Sequence, residues 1–534
     1  MTVMNDKDKN TSGNKMNRRD VLKGLATVPV LGAMAYGTWR KTRQDHIRSH
    51  KLAKELNMST EELEYSAYKH DGETIRIGII GFGIRGPQLM KAAGFVTPKD
   101  IQDMKDAAEK DSSNTRYSDF MEQDDLNIQV TAVCDLFDVH AENAIAAGAN
   151  IGREGIGGKM GPAPKRYRHY TDLLAADDVD AVIIAAPDHW HAQMTIDAAK
   201  TGKHVYAEKG FTLTIPQTYL VREAVKSSGI VYQLGHQGRQ TESYIKAKEA
   251  IDKNLIGKIN LIEVCTNRND ANGAWVYKIH PDANPNTVDW AQFEEPCEVK
   301  RPWSPERFFR WRCWWDYGTG LSGDLLTHEF DAINQILGMG IPTSASASGG
   351  VYFWKDKARG DYVNEVRDVP DVWNAVLEYP DHDFSLLYSA TLASTRDRGK
   401  VIMGHDGNME LGNSLTIYAD RESTRYAEKI KSGLIDPEIP IYTYIPGRKN
   451  VDTVATATEQ YFASRGLLYT FRGGRRVDTT HLHIAEWLQS IREGTQPSCN
   501  IDQAFQEGIA LGMGILAQKE GRKVYWDKDN EQVI

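Results

Sequence analysis

The chain is predicted to be an α/β protein in two parts. A doubly wound parallel sheet comes first, and an α+β domain with an open, mostly antiparallel sheet follows. Three observations carry this. The run "IRIGIIGFGIRG", from Ile75, passes directly from apolar strand into glycine turn and helix. Continuous apolar runs then alternate with helical segments as far as Gln237, as in strands covered on both faces. Beyond that point the hydrophobic period falls to two, the pattern of strands with one covered face.

The first 35 residues read as an export segment of the twin-arginine type. Arg18 and Arg19 are followed by Asp20, Val21, Leu22 and Lys23, with Val21 in the usual aromatic position. The apolar stretch 24–35 is too short to favour a membrane-spanning helix, and Ala33-Met34-Ala35 offers a small-x-small cleavage site. A basic amphipathic helix that carries two arginines is the alternative. The export reading implies the twin-arginine translocase as a partner and a periplasmic or exported location. An uncleaved leader would tether the chain to the inner membrane. Residues 36–73 are charged and loosely patterned, a linker with one short helix expected over 60–67.

Within the first domain, residues 74–236, strands are expected over 128–134, 181–186, 204–207 and 230–234. Helices are expected over 191–201, stopped by Gly202, and 216–228, stopped by Gly229. Residues 237–534 form the second domain. A helix over 241–254 leads into the alternating run 258–266, and further strands are expected over 345–354, 372–379, 384–392 and 409–419. Helices over 481–493 and 502–520 close the chain.

Composition narrows the function. A formal charge of −9 and a pI near 6.0 argue against nucleic acid as a partner. The five cysteines are scattered without a C-x-x-C pair, which gives zinc or a disulfide framework little support, although one bridge could form after export. His481 and His483 resemble an H-x-H metal pair, but no acidic or cysteine partner is identifiable by spacing. Structural or substrate contacts are expected of them, and no metal.

Gly81-Phe82-Gly83-Ile84-Arg85-Gly86 fits G-x-G-x-x-G in its required context, directly after a buried strand. Its glycines allow the tight turn, backbone approach to a pyrophosphate and close helix–strand packing, and the helix N-terminus faces the phosphates. Asp135 ends the next strand, where a carboxylate can bind ribose hydroxyls and would repel a 2′-phosphate. NAD is therefore expected in preference to NADP. The interval from Gly86 to Asp135 is longer than the usual roughly 20 residues, and the charged stretch 98–127 accounts for it as a surface insertion. A plain turn residue at a strand end is the other reading of Asp135. Outside the inner membrane there is no obvious pool of the nucleotide, so an exported chain would keep its NAD tightly and regenerate it in place.

"GFGIRG", "AAPDHWHA", "HVYAEK", "GLSGDLLTHEFD" and the closing "GRKVYWD" occur in that order. Together they resemble the Gfo/Idh/MocA oxidoreductases, from about Ile75 to the C-terminus. The resemblance implies a Rossmann domain, a second domain whose open sheet often mediates homo-oligomers, and hydride transfer at a carbohydrate or polyol carbon. Glu208 and Lys209 match the family's Glu-Lys-Pro segment, with Gly210 in place of the proline, which loosens the backbone after the lysine. Pro187, Trp190 and His191 match the loop beside the nicotinamide, and Gln237 joins this cofactor set. Asp324 and His328 match the acid–base pair.

Asp324, His328 and Asp331 stand at i, i+4 and i+7, so a helix would align them on one face after the turn at Gly320 and Gly323. Oxidising a secondary alcohol requires a base for the hydroxyl proton, and His328 titrates in the right range. Asp324 would orient substrate or fix the His328 tautomer, Lys209 would stabilise the developing alkoxide, and Asp331 would support them. Read without the resemblance, Asp324 favours a helix N-terminus and His328 is an interior histidine. "RFFRWRCWWDYGTG" places Arg310, Trp311, Trp315 and Tyr317 just ahead, either stacking on a sugar or packing a core.

Three functions follow. The first is an exported NAD-dependent oxidoreductase acting on a ring hydroxyl, at C3 by family analogy, of a sugar or glycoside. The second is a redox-assisted glycosidase or lyase that oxidises the sugar transiently, eliminates the aglycone and recycles its NAD. The third is a catalytically silent nucleotide- or sugar-binding protein.

Overall fold

The first sheet follows from strands that are apolar on both faces. β1 (Ile75–Ile80) feeds α1 (Arg85–Ala92). α2 (Pro98–Lys110) and α3 (Arg116–Met121) precede β2 (Ile128–Cys134), α4 (Asp138–Gly148) and β3 (Lys165–Arg166). Next come α5 (Tyr170–Leu174), β4 (Ala181–Ile184), α6 (Asp188–Lys200), β5 (His204–Ala207), α7 (Ile215–Ser228) and β6 (Tyr232–Leu234). All neighbours pair in parallel, in the order β3-β2-β1-β4-β5-β6. The order reverses between β1 and β4, where doubly wound sheets bind ligands at their strands' carboxyl ends. Local chemistry sets the helix ends. Thr214 and Gln217 form a capping box at α7, and Gly229 closes that helix at φ +71°.

In the computed structural model, residues 52, 54–59, 61–68, 72–355, 366–396, 398–446 and 469–534 are described. The expected export segment, residues 1–35, and most of the expected linker lie outside them. The chain divides between Ser59 and Thr60, and both large sheets belong to the second unit, Thr60–Ile534.

A 3₁₀ turn (Gln237–Gln240) and α8 (Glu242–Asp252) lead to β7 (Ile259–Asn267). α9 (Trp290–Phe293), α10 (Pro305–Phe309), a π-helical turn (Ser322–Leu326) and α11 (Thr327–Leu337) follow. β8 (Ser344–Gly350), β9 (Val372–Tyr379), β10 (Phe384–Thr391), β11 (Lys400–Gly404), β12 (Gly407–Leu411) and β13 (Leu415–Ala419) build most of the second sheet. Then come α12 (Ala427–Lys431), β14 (Tyr442–Tyr444), β15 (Tyr469–Arg472), β16 (Arg475–Asp478), α13 (Thr479–Glu493), α14 (Ile501–Glu520), β17 (Val524–Asp527) and β18 (Gln532–Val533). Ten strands align as β14-β13-β12-β11-β7-β10-β9-β8-β17-β18, antiparallel except for β7 with β10. The period of two is plain in β9, where Trp373, Ala375, Leu377 and Tyr379 are buried and their neighbours are less so.

Two expectations are corrected. The run 409–419 is not one strand but the hairpin of β12 and β13, turned at Gly412, whose N–H donates to Ser414 O at 2.9 Å. The charged stretch 98–127, expected as a surface insertion, carries α2 and α3, which pack through Ile101 and Phe120. No helix occurs over Glu61–Tyr68 among the described residues. Long-range bonds hold that segment instead: Leu63 N–H donates to Glu242 at 2.5 Å and Leu63 O accepts from Gly473 N–H at 2.8 Å.

The change of pattern near Gln237 does not mark where the first core ends. Ile484, Ala485, Trp487 and Leu488 of α13 pack with Ile77, Ile79 and Tyr206, while Ile501 and Ala504 of α14 pack with Val182, Ile184 and Phe211. The last two helices therefore cover the parallel sheet. Close approach depends on glycine: a Cβ at Gly508 would lie 2.8 Å from Phe211, and one at Gly512 would lie 2.5 Å from Ile215. Trp487 is fully buried, so Trp487→Ala is expected to destabilise the protein by about 3–5 kcal/mol. Urea denaturation checks this, and a loss below about 1 kcal/mol would show that α13 only drapes the surface.

Candidate active site

Strand ends and one π turn build the site. The glycine turn leaves β1 with Gly81 at φ +91°, and a Cβ there would lie 2.6 Å from Ala185 O. A Cβ at Gly86 would lie 2.4 Å from Gly81 O, so both glycines are sterically required. Around Gly83 the space is open, with His140 the nearest group at 3.7 Å. No side chain caps the first turn of α1, which leaves its N–H groups to an anion. Asp135 sits at the end of β2 and accepts from the N–H of Phe82 at 2.6 Å and of Phe137 at 2.8 Å. This open, anion-ready turn beside an oriented carboxylate fits a dinucleotide pyrophosphate and ribose.

Arg85 joins two of the other expected cofactor residues. Its guanidinium donates to Glu208 at 2.8 Å and to Gln237 at 3.0 Å, tying the glycine turn to the ends of β5 and β6. Pro187 stands at the N-cap of α6. His191 is buried, with its ring nitrogens 2.8 Å from Gly210 O and 2.7 Å from Ala186 O, so it fastens the β4 loop to the β5 loop. Trp190 differs from expectation. It lies inside the first core against Tyr170, because the helical turn from Asp188 rotates it away from the strand ends.

Lys209 leaves the end of β5 and pairs with the Asp324 carboxylate, its ammonium also donating to Asp324 O at 3.0 Å. Arg312 donates to Asp324 Oδ1 at 3.0 Å and the Trp275 indole N–H to Oδ2 at 2.9 Å. Burial alone would raise the Asp324 pKa, but Lys209, Arg312 and Arg268 overcome it and hold the carboxyl well below the usual range. His328 is half-buried, edge-on to His236 at 5.5 Å between ring centres, and makes no hydrogen bond among the described residues. Burial first, then Lys209 and His236, push its pKa well below the ordinary 6.5.

The expected single helical face does not form. The turn around Asp324 is π-helical, the form in which an extra residue re-aims side chains at functional sites. Asp324 therefore faces Lys209 and makes no hydrogen bond to His328 among the described residues, so it does not fix that tautomer. Asp331 points elsewhere, accepting from Arg239 Nε at 2.8 Å. Nearby, His236 Nε2 lies 2.9 Å from Glu507, which also accepts from Thr327 Oγ1. His236, Asp331 and Glu507 bring ligand-type atoms within 4.8 Å of one another. Arg239 and Thr327 already occupy those carboxylates.

The aromatic stretch divides. Tyr317 is fully buried and donates to Glu294 at 2.6 Å, and Arg310 is buried, donating to Tyr277 O at 2.7 Å. Both are interior bracing rather than sugar contacts. Trp311 is half-buried beneath the Arg312 guanidinium at 4.1 Å, and the Trp315 ring carries Lys519 at 4.4 Å. His481 and His483 bind the separate carbonyls of Ala92 (2.8 Å) and Leu234 (3.0 Å), which are structural contacts. All five cysteines are free thiols.

Two site residues escaped the sequence reading. Arg312 lies within the quoted aromatic stretch, where the 3₁₀ turn Trp311–Cys313 selects it over Arg310. Trp275 carries no local signal. It is fully buried at φ +66°, a strained conformation for a bulky residue.

Fold and site define a two-domain dinucleotide-binding oxidoreductase architecture. The family model described as "Oxidoreductase family, NAD-binding Rossmann fold" matches residues 75–236, and its C-terminal alpha/beta domain model matches 248–525. The chain belongs to the Gfo/Idh/MocA oxidoreductase family, and its first domain is the family's NAD-binding one. It is 29% identical over 191 residues to levoglucosan dehydrogenase of Pseudarthrobacter phenanthrenivorans, covering 34% of this chain and 41% of that protein. To the scyllo-inositol 2-dehydrogenase (NAD(+)) of Bacillus subtilis it is 38% identical over 87 residues, 16% of this chain and 25% of that protein. The matches thus span less than half of either relative. The fold resembles levoglucosan dehydrogenase solved with NADH and L-sorbose, with TM-score 0.56, 17% identity, 86% of this chain and 100% of that one. An NAD-binding oxidoreductase from Klebsiella pneumoniae gives TM-score 0.54 and 19% identity over 85% of this chain and 100% of that one.

Gly210 stands at φ +77°, and a Cβ there would lie 2.5 Å from the Asp188 carboxyl, which is itself held by Thr319 N–H (3.0 Å) and Oγ1 (2.6 Å). Proline cannot adopt this φ. Gly210→Pro is therefore expected to destabilise by about 2 kcal/mol or more, and an unchanged thermal midpoint would show that this loop yields. Trp275→Phe keeps the ring but leaves Asp324 Oδ2 short of a donor. A loss of about 1–3 kcal/mol in urea denaturation is expected.

Proposed function

We propose that this chain is an exported, NAD-dependent oxidoreductase that interconverts a ring hydroxyl and a ketone on a sugar or glycoside, C3 being the position that the resemblance suggests. The observation that carries the proposal is the buried Lys209–Asp324 pair with His328 beside it, set at the carboxyl ends of the parallel strands. The relatives named for levoglucosan and inositol oxidation support the substrate class, and the Arg18–Arg19 segment supports export. Self-association through the open second sheet is the arrangement that the resemblance suggests.

NAD, when bound, supplies the acceptor for the hydride that leaves the carbinol carbon. Gly81, Gly83 and Gly86, the first turn of α1 and Asp135 would hold it. Asp324 is too acidic to take a proton, so its work is to fix the Lys209 ammonium. Lys209 donates to the substrate oxygen and stabilises the alkoxide as the proton leaves. His328, neutral and free of hydrogen-bond partners in the described chain, takes that proton on a ring nitrogen.

The test begins with nucleotide released from purified, denatured protein, read by absorbance and mass, followed by a screen of sugars and glycosides. Stoichiometric NAD or NADH is expected, and an empty protein would sink the retained-cofactor reading. Aglycone release without net NADH would move the chain to the redox-assisted cleavage class. His328→Gln should cost about 10²–10⁴ in turnover and Lys209→Met about 10²–10³.

The pH profile follows from the sign of the His328 shift. Protonation removes the base, and the pKa lies below 6.5, so the oxidation rate should hold down through pH 6.5 and fall only in more acid solution. His328→Gln should abolish that acid limb. An inflection at or above 6.5 that survives in the variant would assign the limb to another group.

A further inference from the structure

The second domain reaches the carboxylate at the end of β2 through Phe137. The Phe137 N–H donates to Asp135 at 2.8 Å, and its ring is fully buried. The chain between β7 and the π turn packs on that ring. His280, Phe308 and Phe309 stand edge-on to it, at 5.3, 6.4 and 5.7 Å between ring centres. His140, on the first turn of α4, adds a fourth edge-on contact at 4.9 Å. Backbone pairing anchors the segment there. Val288 forms an antiparallel bridge with Phe137, Asp138 N–H donates to Thr287 O at 3.0 Å, and Asp289 N–H donates to Leu136 O at 2.9 Å.

Burial of Phe137 explains the centre of this cluster but not its rim. His140 and Phe309 stay half-buried, 6.3 Å apart between ring centres. His140 Nδ1 lies 3.5 Å from Asp135 Oδ1, and a Cβ at Gly83 would lie 3.7 Å from His140 Cε1. The rim therefore borders both the carboxylate that suits a ribose and the open glycine that suits a pyrophosphate. Sheet order says which end of the nucleotide belongs here. Lys209 follows β5 and Asp135 follows β2, on opposite sides of the glycine turn after β1. With the reacting end at Lys209, the adenosine end lies on the β2 side. Adenine is flat, with two polarisable faces, and an aromatic surface holds such a group with few torsions to freeze. Stacking a base on an aromatic side chain is worth about tenfold or more in affinity.

We propose that His140 and Phe309 form the seat of the adenosine end of NAD, so that a second-domain segment, and not the Rossmann domain alone, sets how long the nucleotide stays bound. The seat needs NAD at the glycine turn but no particular sugar.

The test times NADH release by fluorescence after the loaded protein is mixed with excess NAD⁺. ADP-ribose and nicotinamide mononucleotide are then titrated separately as competitors for bound NADH. Phe309→Leu keeps an apolar side chain without a ring, and His140→Ala removes the other half of the rim. Each should speed release about tenfold or more and weaken ADP-ribose by the same factor, about 1.4 kcal/mol, while nicotinamide mononucleotide competes as before. Phe309→Tyr, which keeps the ring, should release NADH at the parent rate. Unchanged release in both ring-removing variants overturns the proposal. Equal weakening of the two fragments also overturns it, since a distorted domain does that and a lost adenosine seat does not. Protein that holds NADH in this way but oxidises no sugar or glycoside leaves the seat standing and removes the oxidoreductase reading. Sugar oxidation with unchanged release in both variants does the reverse.

Discussion

The buried pairing of Lys209 with Asp324 is the contact on which the site depends. Lys209 comes from the end of a parallel strand and Asp324 from a π turn of the second domain, so the pair forms only if both sheets keep one fixed separation. Taking two such charges out of water costs several kcal/mol per ion unless the remaining donors and acceptors are met. Here they are met: Arg312 and Trp275 complete the carboxylate, and Asp324 O takes a further bond from the ammonium. Losing Asp324 would leave the Lys209 ammonium, and the Arg312 guanidinium beside it, without their carboxylate, a penalty of about 3–5 kcal/mol. The pair is therefore a constraint on the fold as much as a piece of chemistry.

The rest of the architecture holds that separation. α14 lies on α7 through Gly508 and Gly512, and its Leu511 O accepts from Ser322 in the π turn at 3.1 Å. One residue series thus touches both the first core and the turn that aims Asp324. A second buried network repeats the link. Glu507 of α14 binds His236 after β6 and Thr327 at the start of α11, while Asp331 of α11 binds Arg239. Gly323 permits the π turn itself, because a Cβ there would fall 2.0 Å from the Thr319 hydroxyl. The acidic groups of this network hold the second domain's helix against the first domain's strand ends, and none of them needs to react.

Much of this was legible in sequence where local rules act. The strands Ile128–Cys134, His204–Ala207 and Val372–Tyr379 lie where hydrophobic pattern and turn residues put them, and the glycine turn has the expected context. What local pattern does not carry is which distant surface an amphipathic segment covers. α13 and α14 read as the end of the second domain, yet their apolar faces close the first. The aromatic stretch shows the same limit, since Trp311 and Tyr317 are alike in composition but one is half-exposed and the other fully buried. Asp331 shared the helical spacing of Asp324 and His328, but a π turn breaks the periodicity on which that spacing rests. Gly210, a departure from the family pattern, is explained only by Asp188, a neighbour 22 residues earlier that leaves no room for a side chain.

The electrostatics also decide how roles divide under the proposed reaction. A carboxylate and an imidazole four residues apart invite a reading in which the acid orients or charges the histidine. The geometry removes it, because each Asp324 oxygen already accepts from a cation or an indole. Two cations bonded to Asp324 make it a poorer base than an ordinary carboxylate, and the same ammonium makes His328 harder to protonate. The two shifts share a cause, and they act in opposite directions on usefulness. Asp324 is fixed as a permanent anion, while His328 is kept as a neutral imidazole with an open lone pair. A proton arriving on His328 would meet the field of Lys209 and be released readily, which suits a site that must take up and return the same proton if its nucleotide is regenerated in place.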